Sequence, residues 1–94
     1  MVFLGWASQA DGYTCPVVIK EASAVLAKAE TAVTKVKAAD RAVADRALAR
    51  AKKLLGDAKK DHEGATAKVG HSEAVRKAKT AKAFAEQVLT LAEP

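Results

Sequence analysis

Apolar residues recur at helical spacing from Val18 to Leu54. The stripe runs Val18, Ala22, Val25, Ala29, Ala32, Val36, Val43, Ala47, Ala51 and Leu54, with Asp40 as its polar member. From Val25 onward the steps repeat as 4, 3, 4, an 11-residue period that gives a straight or slightly right-handed supercoil. Leu26, Val33, Leu48 and Leu55 form a second stripe one residue on. Together they make a broad apolar face, wider than a two-stranded seam needs. Asp40 marks either a polar layer or the place where the stripe meets solvent. No Gly or Pro interrupts Val17 to Leu55. The pattern therefore predicts one long helix over 16–55, with Pro16 at its first position and Gly56 as its left-handed stop.

A second limb is predicted over 57–92, with Asp57 as its cap. Its middle is weak, because Gly64 and Gly70 punctuate a polar stretch, so a break is allowed at 64–71. Beyond it, Ala74, Ala78, Ala81, Ala85, Val88 and Ala92 make a heptad-like stripe. At 1.5 Å per residue both limbs are about 55 Å long. The fold class expected is all-α: a long, Ala-rich, coiled-coil-like antiparallel hairpin turning at Gly56-Asp57. The alternative leaves 56–71 as a loop and half of the first helix without a partner. Residues 1–15 lack the helical period and read as a short non-helical arm. Its aromatics, Phe3, Trp6 and Tyr13, either cap the chain's own helices or anchor it in a neighbour.

Composition adds a shortage of core. Alanine supplies 23 of the 94 residues, and aromatics only 4%. Alanine is the best helix former but buries little area. Small chains with thin cores usually need a staple or a partner. Cys15 is the single cysteine, so no disulfide can form within the chain. These features point to a cytoplasmic protein, or to part of an assembly built inside a cell. No stretch approaches the length of a membrane span.

Charge is the best functional clue. Residues 41–82 carry 12 Lys/Arg against 5 Asp/Glu, and the remainder carries 4 against 6. A hairpin turning at Gly56 would gather Arg46, Arg50, Lys52, Lys53, Arg76, Lys77 and Lys79 near one pole. Such a pole either binds phosphates or an acidic surface, or is a solvated face that keeps an Ala-rich helix soluble. Aromatics do not interleave with these cations, as stacking on single strands would require.

Catalytic and metal motifs are missing. His62 points about 100° away from the face shared by Asp57 and Asp61, and no H-x3-H or C-x2-C pair fixes two strong ligands. No metal or cofactor is expected. Cys15 precedes a predicted helix start, where a dipole lowers a thiol pKa. A nucleophile also needs a base, and no histidine lies within 45 residues of it. The expectation is a non-enzymatic helical assembly module that self-associates or packs on a larger complex. A small structural component of a larger particle fits that description. The alternative is a small basic nucleic-acid-binding or regulatory protein.

Overall fold

The computed structural model describes the backbone at residues 6–64 and 67–94 and the side chains at 16–64 and 67–94. Phe3 lies outside the described residues, as do the side chains of Trp6 and Tyr13. The fold is all-α. Among the described residues, α1 (Trp6–Ala32), α2 (Arg41–Gly64) and α3 (Lys68–Leu91) follow in order, with two single 3-10 turns, Val33–Lys35 and Ala38–Asp40, between α1 and α2.

The helices form an up-down-up bundle. Val18, Ile19 and Ala22 of α1 share a buried cluster with Leu55 and Ala58 of α2 and with Ala78 and Ala81 of α3. Further along, Ala29 meets Ala44, Ala47 and Ala51, with Ala85 and Val88 beside them. Thus α2 runs antiparallel to both neighbours, and α3 packs closely on both α1 and α2. Of the fifteen buried apolar residues described, ten are alanine, and Val88 is the largest fully buried side chain. Small side chains let helix axes approach toward the short end of the usual 8–10 Å range.

The single helix expected over 16–55 is corrected by a break at residues 33–40. No glycine or proline makes it. Val33, Thr34 and Val36 are β-branched and lose side-chain freedom in a helix. Thr31 Oγ1 donates to the Ala27 carbonyl at 3.3 Å, and Thr34 Oγ1 donates to the Thr31 carbonyl at 3.1 Å. Such bonds offer the backbone an alternative to the helical ladder. Val36 and Lys37 are then extended, with ψ of 136° and 150°. The Arg41 guanidinium donates to the freed carbonyls of Thr34 and Val36, both at 3.2 Å. Asp40 immediately precedes α2, where a negative charge suits the helix N-terminus.

Three other boundaries move. The segment 6–15, expected to be non-helical, belongs to α1, and Pro16 lies inside that helix. Proline removes one rung of the ladder, the bond to the Gly12 carbonyl, and the ladder resumes beyond it. Gly56 does not stop α2, which continues to Gly64. The chain reverses beyond Gly64 and before α3 begins at Lys68, within the stretch 64–71 where the sequence allows a break.

Gly56 has no left-handed backbone, and a methyl group built there meets nothing within 4 Å. Gly56→Ala should therefore raise stability by about 0.5–1 kcal/mol, because alanine loses less backbone freedom on folding. Urea denaturation measures this. A destabilised variant would mean that α2 does not run through residue 56.

Candidate functional site

The two ends of the bundle differ in character. At the end nearest the 33–40 link, bulky apolar side chains surround the alanine core without being fully covered. Val25, Val33, Leu48, Phe84, Leu89 and Leu91 are all partly buried and pack on that cluster. At the other end, among the described residues, Leu26, Leu54 and Val75 flank the core in this way. Few large apolar side chains are well exposed: among those described, Val17, Val43 and Val69. Most of the broad face read from α1 and α2 is thus used within the chain.

The basic residues do not collect at one pole, because α2 runs on through Gly56 to Gly64. Arg46 and Arg50 fall in the first half of α2, toward the link. Arg76, Lys77 and Lys79 lie on α3 nearer the turn. Several are already engaged. Lys52 Nζ reaches Glu30 of α1 at 3.0 Å. Lys53 meets Asp57 at 3.3 Å, and Arg76 meets Glu73 at 2.8 Å. The Arg50 guanidinium sits 5.8 Å from the centre of the Phe84 ring, within cation–π range. Arg46 and Lys79 are exposed. Solvent-exposed pairs such as these contribute little to stability.

The Lys77–Asp61 pair is more covered. Its Nζ–Oδ2 distance is 2.6 Å, with side chains 25% and 32% exposed, and it ties α3 to α2. The hydrogen bond to Asp61 raises the Lys77 pKa above its ordinary value, against the opposing effect of desolvation. That contribution is complete below the ordinary lysine pKa and is lost as pH rises through the elevated one. Glu73 shows the opposite sign. The hydrogen bond from Arg76, and then its charge, hold the Glu73 carboxyl below its ordinary value. Its contribution is present above the ordinary carboxylate pKa and lost as pH falls through the lowered one. Asp61→Asn should bring the Lys77 titration, followed by NMR at Nζ, back toward that of a free lysine. An unmoved titration would show that the two side chains are not bonded in solution.

Near the turn, Lys60, Asp61, Gly64, Gly70, Glu73 and Lys77 line an open cleft of about 400 Å³. It brings ammonium and carboxylate groups together, without a histidine or cysteine in its lining. Cys15 lies within α1 and not at a helix start, so the dipole argument for its reactivity falls. Its side chain is outside the described residues.

One juxtaposition escaped the sequence. His62 ends the buried stripe of α2, and His71 lies just ahead of the buried stripe of α3. The turn sets their ring centroids 5.8 Å apart, with planes inclined by 59°. Spacing along one helix gave no sign of this, because the pair forms across the turn. No group of three or more His, Cys, Asp or Glu poised to hold a metal occurs among the described residues. Likewise, no described helix is long and apolar enough to cross a membrane. No protein-family model matches the chain, and neither a curated protein nor a solved structure matches it.

Proposed function

We propose that this chain is a non-enzymatic helical assembly module, which self-associates or packs on a larger complex. One observation carries the reading. Among the described residues the fully buried core is largely alanine, while the bulkiest apolar side chains at the link end stay half-covered around it. Burial of apolar area is the main source of stability. A second surface over Val33, Leu48, Phe84 and Leu89 would complete burial that the chain begins but does not finish. A small structural component of a larger particle suits such a module. The alternative, a basic protein acting on nucleic acid, has less support. Lys52, Lys53, Arg76 and Lys77 are held by acidic partners within the chain.

Sedimentation velocity over a wide concentration range tests this. The expected result is a rise in mass with concentration, together with a melting temperature that climbs as association is favoured. Leu48→Ser with Leu89→Ser should suppress both while retaining the helical circular-dichroism signal. A chain that stays monomeric at high micromolar concentration, and melts cooperatively without concentration dependence, overturns the proposal.

A further inference from the structure

We propose that His62 and His71 form a two-imidazole site for a divalent transition cation, bridging α2 and α3 at their turn. The pair stands apart from the half-covered apolar end, and the proposal does not depend on assembly. Three observations support it.

The first is distance. Metal–nitrogen bonds near 2.0–2.1 Å place each ring centroid about 3.2 Å from the ion, so two ligands at tetrahedral to trigonal angles have centroids roughly 5.2–5.5 Å apart. The observed separation is 5.8 Å. The remaining difference of a few tenths of an ångström is closed by a small side-chain rotation. The rings are tilted and not stacked face to face, which suits convergence of their nitrogens on a shared ion.

The second is an unsettled atom. His62 Nδ1 is buried and has no hydrogen-bond partner. Buried polar atoms are nearly always satisfied, and one that is not calls for a reason. A ring nitrogen that gives no hydrogen bond and receives none is a ligand atom without a use in the metal-free chain. An ion drawn to that nitrogen, or a ring flip that places it against the ion, would remove the deficit.

The third is scaffold. The two ligands sit on helices already fixed to each other by Lys77 and Asp61 close by. Rigid elements hold a metal site more tightly than loops do. Imidazole ligands select Zn²⁺, Ni²⁺ and Cu²⁺ over Mg²⁺ and Ca²⁺, which want oxygen. No third described His, Cys, Asp or Glu joins the pair, so water fills the remaining positions. With half the ligands of a closed structural zinc site, the affinity falls in the micromolar range.

The test uses the full chain in a Cys15→Ser background, which removes the thiol as a competing ligand. Zn²⁺ and Cu²⁺ are titrated separately by calorimetry, with Mg²⁺ as the control. The expected result is one-to-one binding of Zn²⁺, tighter binding of Cu²⁺, and none of Mg²⁺. His62→Gln and His71→Gln should each lower the Zn²⁺ affinity at least roughly tenfold, a loss no smaller than that from removing a supporting group around a metal. The double variant should be little worse than either single one, since each already breaks the chelate. Circular dichroism of the metal-free variants separates loss of a ligand from loss of the fold. Nitrogen-detected NMR of the imidazoles in the unsubstituted chain gives a readout free of mutation: both rings should shift with Zn²⁺. Zn²⁺ binding that survives either substitution, or a spectrum in which only one ring responds, overturns the proposal.

Discussion

Replacing Ala85 with leucine should lower stability by about 1–3 kcal/mol, the usual result of forcing extra carbons into a packed core. Ala85 is fully buried, in the cluster that holds Ala29, Ala47, Ala51 and Val88. The neighbouring alanines come from both α1 and α2. Nothing as large as a leucine side chain is fully buried anywhere among the described residues. A leucine there must push α3 away from α1 or α2, and every alanine contact along that seam loosens with it. Ala83 supplies the control, two residues earlier on the exposed face of the same helix. Ala83→Leu should stay within about 0.5 kcal/mol of the parent, as surface changes do. For a domain of this size, each kcal/mol corresponds to about 4–8 °C in melting temperature, so thermal denaturation resolves the two variants. An Ala85→Leu chain more stable than its parent would mean that the helices are spaced by something other than their alanines.

This alanine packing was the part of the fold most legible in the sequence. The stripe predicted for the last helix, Ala74 through Val88, is buried at every position, and Ala92 is half-buried. Val18, Ala22, Ala29, Val36, Ala47 and Ala51 are also buried as their stripe requires. What the pattern could not give was the place where the chain reverses. Hydrophobic period reports which residues face a core, and a stripe can continue in phase across a break. Here Val36 fits the repeat while sitting in an extended link. Asp40, the polar member of that stripe, was the visible signal, together with three β-branched residues in four. Gly56 misled in the other direction. Exposed on α2 with open space around it, it is tolerated in the helix at modest cost.

The candidate sites were less legible for the same reason. Lys77 and Asp61 are sixteen positions apart in sequence, and His62 and His71 lie on different helices. Neither pairing can be found until the reversal is placed beyond Gly64. Moving the reversal from Gly56 to beyond Gly64 changes which groups meet across the hairpin. The basic block was real as composition, but its expected gathering at one pole depended on the misplaced turn.

The link itself gives the last test. Val36 is 4% exposed and is the one buried side chain of the connection between α1 and α2. Backbone bonds brace it on both sides: Val36 N–H donates to the Val33 carbonyl at 3.2 Å, and Asp40 N–H to the Lys37 carbonyl at 2.9 Å. Val36→Asp places a carboxylate among Ala44, Ala47 and Val88, neighbours in its buried cluster that cannot pair with a charge, while the nearby Arg41 guanidinium donates to the Thr34 and Val36 carbonyls. The expected cost is about 3–5 kcal/mol, in line with a buried charge that lacks a dedicated partner. That is a large share of the roughly 5–15 kcal/mol that holds a typical domain together. Lys35→Asp, one position before it and exposed, changes charge in the same direction without entering the cluster and should cost far less. Urea titration of the two variants separates the cases. Near-equal midpoints would place residue 36 on the surface, and the reversal between α1 and α2 would lose its anchor. A collapse confined to Val36→Asp would show that this one apolar side chain, seated in an extended link, anchors the reversal between α1 and α2 in the core.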